Sequence, residues 1–285
     1  VKYERMFLSD YHVHSAASFD AGEPAGIEDI LKAAAAENID QIAVCDHYDV
    51  NWVLEGTNPK IDFKASRDNI NEAKQKINCK TELLLGVELG QPHQSAESDA
   101  HARELLRIND FDFVLCAMHN ARNEQDFYYI DYTNPDKPQL EAMFERYSRE
   151  LCELAAWGKF HALAHIDYPV RYFKINKIEI DTSKYHDLYK DVFKIMINRG
   201  IILEVNTSGL YRENFWSVMP SFELLKVYKD TGGELLCMGS DAHSAAQLGG
   251  LCKRFASVYA ELIKIGFKYI TVLKNKKIEQ IKIEI

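Results

Sequence analysis

The residues with the most chemistry to offer are histidines and acids that each close an apolar run: His12-Val13-His14, Asp46-His47, Glu88, His119, His165 and Asp241-Ala242-His243. Imidazole and carboxylate groups are good ligands for zinc, iron and manganese. His12 and His14 are two residues apart, so on a strand both side chains point the same way, a spacing that lets two imidazoles grip one ion. Asp241 and His243 repeat that geometry. Glu88 ends Leu83-Leu84-Leu85-Gly86-Val87, a place hard to reconcile with a surface acid. Its two oxygens could bridge two cations, as two-metal hydrolysis requires. His119 follows Phe113–Met118, His165 follows Ala162–Ala164 and Asp46-His47 follows Ile42–Cys45. Taken singly, each histidine could be a satisfied core residue and Glu88 the buried partner of an Arg or Lys. Taken together, they predict a polynuclear metal site. Asp46 is a candidate acceptor for a ligand imidazole. Asp20, in a loop with Ser15, Ser18 and Gly22, reads on its own as a loop or helix-entry residue. His93, His101, His161 and His186 read as loop, helix-surface or strand residues.

Such donors meet only if many strand ends share one face, and the rest of the chain supplies the strands. Short β-rich runs at Met6–Val13, Gln41–Cys45, Glu82–Leu89, Phe113–Met118, His161–Ala164, Ile201–Val205, Leu235–Met238 and Tyr269–Leu273 alternate with helical stretches. The helices are expected at Ile27–Glu37, Ala65–Ile77, Leu140–Trp157, Tyr185–Arg199, Pro220–Thr231 and Phe255–Ile265, with Gly200 closing its helix. Strand–helix alternation predicts βαβ units and a parallel sheet. A closed α/β barrel needs about 250 residues, so 285 residues fit one domain spanning 1–285. The irregular stretches Tyr48–Asp62, Asn120–Pro138 and Ala164–Ile180 follow donor-bearing strands, where a barrel builds its active-site loops. The lysine-rich Lys274–Lys282 reads as a solvated closing segment.

Composition narrows the function classes. The chain is 47% hydrophobic and 27% charged, as soluble globular proteins are. A formal net charge of -9 argues against a protein that coats nucleic acid. An anionic substrate stays compatible, because divalent cations and a few arginines can invert the local potential. The six cysteines show no Cys-x-x-Cys spacing and lie mostly in apolar runs, which predicts reduced core residues in a cytoplasmic protein. Neither a signal-peptide pattern nor an apolar run of about 20 residues is present, so no membrane partner is expected.

The ordered set His12-x-His14, Asp46-His47, Glu88, His119, His165 and Asp241-x-His243 resembles the polymerase and histidinol phosphatase (PHP) family across essentially the whole chain. The resemblance implies a distorted (β/α)7 TIM-like barrel, an α/β fold with two or three divalent ions (zinc, manganese or iron) at the strand C-termini, and phosphoester hydrolysis. Carried over residue by residue, it puts one metal on His12, His14, Glu88 and Asp241, and a second on bridging Glu88 with His119 and His165. A third falls to Asp20, His47 and His243. Within the family, Asp10–Ser15, Ala164–Tyr172 and Glu204–Leu210 look most like the histidinol-phosphate phosphatases. That likeness implies a phosphomonoesterase that converts L-histidinol phosphate to L-histidinol and inorganic phosphate in histidine biosynthesis. Glu88, Asp241, His243 and Asp20 would serve the chemistry, in which a water activated between two cations attacks phosphorus in line.

Arg171 and Arg212 fall in expected strand-to-helix loops beside these donors, and a guanidinium fork matches phosphate oxygens. Surface salt bridges are the other reading of both. Asp126, Tyr128, Tyr129, Asp167 and Tyr172 are candidates for receiving an amine and an imidazole. The competing readings are a PHP-type phosphoesterase for nucleotides or other small phosphates, a metal-dependent amidohydrolase, and a binding or polymerase-accessory module with a decayed site. Amidohydrolases also open with His-x-His but commonly bridge their metals with a modified lysine, for which no lysine here holds an equivalent place. An intact ligand set argues against decay.

Overall fold

Strands that are apolar on both faces need cover on both, and parallel pairing with helical crossovers supplies it. The computed structural model, which describes residues 7–50, 61–211 and 217–284, has this arrangement. In chain order its elements are β1 (Ser9–Val13), α1 (Ile27–Ala36), β2 (Gln41–Val44), β3 (His47–Asp49), α2 (Phe63–Lys76), β4 (Glu82–Gly90), α3 (Ala96–Ile108), β5 (Phe113–Ala117), α4 (Lys137–Trp157) and β6 (Ala162–Leu163). There follow α5 (Tyr168–Ile175), α6 (His186–Arg199), β7 (Ile202–Asn206), α7 (Phe222–Asp230), β8 (Leu236–Gly239), α8 (Leu251–Ile265), β9 (Tyr269–Lys274) and β10 (Lys277–Lys282).

The parallel sheet runs β1-β2-β4-β5-β6-β7-β8, and β3 pairs with the later half of β4. β2 and β3 therefore occupy one strand position in two pieces, with Gln41–Val44 beside Glu82–Leu85 and His47–Asp49 beside Glu88–Gly90. The sheet's two edges meet. Asp241 N–H donates to His12 O at 2.7 Å and His14 N–H to Ala242 O at 2.8 Å, around a parallel bridge from Val13 to Ala242. Seven strand positions thus close into a barrel with helices outside, one position short of the eight of a TIM barrel. Every residue of β1, β2, β5, β6, β7 and β8 is buried.

Several elements differ from expectation, each for a physical reason. Tyr269–Leu273 forms a strand, but β9 pairs antiparallel with β10 as a hairpin outside the barrel sheet. β10 keeps the exposure expected of Lys274–Lys282 while adding backbone pairing. Helix α5 lies in a stretch expected to be irregular. Its Pro169 stands in the first helical turn, where a missing N–H breaks no intrahelical bond. Helix α3 was not expected because its buried face is Ser98, Ala102 and Leu105, a single large apolar residue beside two small ones, which gives a faint periodic signal. The Ser95 hydroxyl caps it, accepting from Ser98 N–H at 3.0 Å. β3 occupies the start of the irregular stretch Tyr48–Asp62, of which residues 51–60 lie outside the described residues. Gly200 ends α6 with φ of 68°, as expected of a C-terminal glycine.

All six cysteines are unpaired; Cys45, Cys116 and Cys237 are buried, Cys79 and Cys152 half-buried, and Cys252, unlike a core residue, is exposed. Among the described residues no helix is long and apolar enough to cross a membrane.

Candidate metal centre

Glu88 stands at the centre of the barrel mouth because β4 runs longer than its neighbours, and the side chain is fully buried. Its Oε1 lies 3.2 Å from His119 Nε2 and 3.0 Å from His165 Nε2. Its Oε2 lies 3.4 Å from His12 Nε2 and 3.6 Å from His14 Nε2. Asp241 Oδ1 faces the same two imidazoles, at 3.7 and 3.5 Å. At the rim, Asp20 Oδ2 sits 3.0 Å from His243 Nε2 and 3.6 Å from His47 Nε2. His47 faces two ways, since its Nδ1 also lies 2.7 Å from Glu88 Oε2. The nine side chains expected from sequence to form one site therefore lie together, each within 4 Å of another member. Two of them hold left-handed backbone, His165 with φ of 23° and Asp241 with φ of 55°, conformations that non-glycine residues adopt at a cost.

The surrounding hydrogen bonds select tautomers. His12 Nδ1 donates to Glu204 Oε1 at 2.6 Å. His119 Nδ1 donates to Asp49 Oδ2 at 3.3 Å, and His243 Nδ1 to the Asp241 carbonyl at 2.9 Å. His14 Nδ1 meets Ser18 Oγ at 3.1 Å, and Ser18 donates onward to Asp46. Asp46 thus supports an imidazole through Ser18 rather than directly, while taking the Ser15 N–H and hydroxyl on its own oxygens. With Nδ1 protonated in all four rings, each Nε2 presents a lone pair inward.

The protonation balance fits cation binding. Burial alone would push Glu88 up, but the His47 and His12 imidazoles hold it well below the usual carboxylate range. Burial likewise opposes ionisation of Asp241, and His12, His14 and Arg171 overcome it. Burial and the neighbouring His243 and His47 push His14 well down, keeping it neutral. Burial also lowers His165. His12 and His119 go the other way: burial lowers each, but the facing carboxylates raise them further. A proton therefore competes for those two rings wherever no cation does.

The donor set passes a direct test of fit. Among the described residues, His12 Nε2, His14 Nε2, His47 Nδ1 and Glu88 Oε2 are buried with no hydrogen-bond partner. An unsatisfied buried polar atom is costly, and four aimed at one another would be unreasonable unless a cation joins them. Their atoms group as His12, His14 and Asp241; His12, Glu88 and His165; His47, Glu88 and His119; and His14, His47 and His243. That chemistry of nitrogen and oxygen donors suits zinc, iron or manganese.

The centre opens into a cavity of about 630 Å³, lined on one side by Asp20, His47, His119, His165, Asp241 and His243. The other wall is acidic and aromatic: Asp126, Tyr128, Tyr129, Tyr168 and Tyr172. Tyr172 OH donates to Tyr168 OH at 2.6 Å, which donates to Asp126 at 3.1 Å. Arg171 lies on helix α5, not in a loop as expected, and is buried, not a surface salt bridge. Its Nη2 reaches Asp241 Oδ2 at 2.9 Å and Ser208 Oγ at 2.8 Å. Asp167 does not line this cavity; it is buried behind α5 and accepts from Ser221 N–H at 3.0 Å. Arg212 lies outside the described residues.

A family profile described as "PHP domain" matches residues 10–208, more than half of the chain. The chain belongs to the PHP domain family. This PHP domain is 27% identical over 276 residues to a probable histidinol-phosphatase of Thermotoga maritima, covering 97% of this chain and all (100%) of that one. It is 29% identical over 243 residues to a probable histidinol-phosphatase of Clostridium acetobutylicum, covering 84% and 88%. A crystal structure of histidinol phosphate phosphatase from Lactococcus lactis, complexed with zinc, L-histidinol and phosphate, superposes with a TM-score of 0.74. It shares 20% identity and the match covers 95% and 98% of the two chains, so the PHP barrel fold is common to both.

Three buried acids of this PHP domain were not given roles from sequence. Glu204, Asp49 and Asp10 are buried, and the first two contact ligand-candidate imidazoles. Asp10 accepts from Ser240 N–H at 2.9 Å and His12 N–H at 3.2 Å, bracing the seam where the barrel closes. Glu204 had a usable signal, since Ile201-Ile202-Leu203 precedes it as an apolar run precedes Glu88.

Proposed function

We propose that this chain, as one PHP-type phosphoesterase domain over residues 1–285, hydrolyses L-histidinol phosphate to L-histidinol and phosphate with the help of two or three bound divalent ions. The observation that carries the reading is the single buried carboxylate of Glu88, with one oxygen toward His119 and His165 and the other toward His12 and His14, whose Nε2 atoms lack a hydrogen-bond partner among the described residues. The names of the relatives and the zinc, histidinol and phosphate in the Lactococcus lactis structure support the substrate.

The residues divide the task as follows. His12, His14, Glu88 and Asp241 hold one ion, Glu88, His119 and His165 a second, and Asp20, His47 and His243 a third. Bound divalent ions supply positive charge for the phosphoryl oxygens and lower the pKa of water toward neutrality. Arg171 stays charged, because the adjoining Asp241 carboxylate outweighs the burial that would discharge it. Its Nε–H, buried without a partner among the described residues, is left to donate to a phosphoryl oxygen. Asp241 and Ser208 pin the far side of the guanidinium, so it is set in place before substrate arrives. Arg212 is proposed as the second clamp from its place in sequence. Where they do not hold the third ion, Asp20 and His243, paired at the rim, are placed to handle the leaving alkoxide's proton. The Asp126–Tyr168–Tyr172 wall suits a cationic amine and a flat imidazole. A small-molecule phosphate, not nucleic acid, fits a cavity of about 630 Å³ in a chain of net charge -9. Unpaired cysteines fit a cytoplasmic setting.

The test is phosphate release from L-histidinol phosphate by chelator-stripped protein, restored with zinc, manganese or iron in turn, beside a nucleoside monophosphate. Restored turnover with preference for histidinol phosphate is expected. Preference for the nucleotide would overturn the substrate, and folded, metal-loaded protein that releases no phosphate from either would overturn the reaction.

A further inference from the structure

We infer that Glu204 is the shared positioning residue of two ligand sets, aiming His12 with one oxygen and fixing the backbone that carries His165 with the other. The inference rests on the metal-ligand reading above but not on the substrate. Glu204 lies on β7 and is fully buried. Its Oε1 accepts from His12 Nδ1 at 2.6 Å, and its Oε2 accepts from His165 N–H at 2.9 Å. Both oxygens are thereby committed, and among the described residues Glu204 belongs to none of the donor groups that could hold an ion. Yet it touches a member of each set that shares Glu88: His12 beside His14 and Asp241, and His165 beside His119.

The two contacts act differently. The bond to His12 fixes a side-chain rotation and a tautomer, so that Nε2 faces Glu88 and Asp241. The bond to His165 holds a main chain with φ of 23°, a conformation that needs outside support. The neighbouring strand makes room for this arrangement. A Cβ added at Gly239 would collide with the Glu204 carboxylate and come within 2.8 Å of His12 Cβ, so glycine there is what lets the acid reach both partners. Asp49 meets the His119 ring, and Ser18 meets the His14 ring at 3.1 Å and His47 N–H at 3.2 Å, but neither touches His12 or His165, the pair that Glu204 joins.

Carboxylates that orient metal-bound imidazoles typically govern metal affinity by about 10- to 100-fold. A residue serving two sets must weaken two binding events together. Glu204→Gln keeps size and one acceptor, but its amide NH2 would confront either His12 Nδ1–H or His165 N–H. Glu204→Asp is one methylene too short to reach both. The experiment is zinc titration of metal-free wild-type protein, Glu204→Gln, Glu204→Asp and Asp49→Asn against a chromogenic chelator, with thermal unfolding of each protein with and without zinc. Both Glu204 variants are expected to weaken two zinc equivalents by about 10- to 100-fold each, and Asp49→Asn only one. The metal-free unfolding midpoints should change little, while the rise on adding zinc shrinks. Weakening of one equivalent or none in a folded Glu204 variant overturns the inference, as does a lowered metal-free midpoint with unchanged zinc affinity. If Glu204→Gln does not fold, Glu204→Asp decides. Wild-type protein that binds no zinc would overturn the metal reading itself, a failure distinct from that of Glu204.

Discussion

The two ends of this barrel treat buried polar groups in opposite ways. At the N-terminal end of the strands, polar atoms find one another. Gln41 Nε2 donates to Glu82 Oε2 at 2.8 Å and to Leu273 O at 2.7 Å, and Gln41 Oε1 accepts from the Tyr11 hydroxyl. Leu273 N–H donates back to Tyr11 OH at 2.6 Å, which fastens β9 to β1. Thr81 Oγ1 donates to Ile39 O, and Asp112 takes both Leu85 N–H and Arg67. Among the described residues the unpartnered side-chain atoms on strands there are the hydroxyls of Ser9 and Thr271 and a single carboxylate oxygen, Asp10 Oδ2. At the C-terminal end, among the described residues, Gln91 Oε1, Asp167 Oδ1 and Arg171 Nε are unpartnered too, but His12 Nε2, His14 Nε2, His47 Nδ1 and Glu88 Oε2 converge in one cluster of strong donors to cations. One end is closed mainly by its own hydrogen bonds and contributes stability; the other gathers facing nitrogen and oxygen donors that a cation would complete. Because desolvated charge without a partner costs far more than a desolvated hydroxyl, this contrast identifies a site, where burial alone would not.

The sharpest way to break that contrast is to remove the acid at the centre. Glu88→Gln keeps the shape but takes away the charge toward which five imidazoles converge. Turnover of histidinol phosphate should fall by about 10³-fold or more, with loss of bound zinc measurable by elemental analysis. Near-normal turnover would mean that the unsatisfied donors do not mark the reacting site. Arg171→Met should come next, with kcat/KM reduced by about 10²-fold, in the range for a lost transition-state hydrogen-bond donor. Competitive inhibition by inorganic phosphate should weaken in parallel. Unchanged phosphate inhibition would assign Arg171 to holding Asp241 alone.

The contrast was partly visible before any coordinates. Donors that each terminate an apolar run can be read along the chain, because a buried strand ends where polarity returns. His12-x-His14 and Asp241-x-His243 add the two-residue period that places both side chains on one side. The family and the barrel class followed from that order. Asp20 carried no such pattern; a rim loop has no periodicity, and only the family resemblance singled it out. Supporting groups were harder still. Asp49 matters through a contact across 70 residues, to His119, and nothing local advertises a partner so distant; Ser18 lies four residues from His14, but in a loop without periodicity to mark it. The closed end was the least legible. Tyr269–Leu273 has the composition of a barrel strand, and only the antiparallel partner at Lys277–Lys282 turns it into a cap.

At that closed end the expected effects are on stability, not on rate. Gln41→Ala leaves the Glu82 carboxylate, the Leu273 carbonyl and the Tyr11 hydroxyl without their shared partner. Denaturant unfolding should show a loss of about 1–3 kcal/mol, with kcat and zinc content unchanged. A large loss of turnover would show that the two ends are not separable.

The smallest effect compares a histidine of the closed end with those of the open end. His161 begins the β6 position, stacks on Phe113 at 5.5 Å between ring centroids, and accepts Val114 N–H on Nδ1 at 2.9 Å. That bond needs Nδ1 unprotonated, and burial lowers the pKa below the ordinary 6.5. Below pH 6.5 the unfolded chain therefore takes up a proton that the folded state resists. The contribution of His161 is fully present above that pH and declines as the pH falls through it. His161→Gln can still accept the Val114 N–H through its amide oxygen but cannot titrate. In metal-free protein, the stability of the wild type relative to the variant should thus be greater at pH 8 than at pH 5.5. The change should be smaller than the Gln41 effect, and zinc should leave it unaltered. His12 and His119, whose facing carboxylates favour the proton, should respond to zinc instead, each surrendering a proton as the ion binds. A His161 contribution that changed on adding zinc would couple the two ends, and the division between a self-satisfied end and a cation-satisfied end would fail.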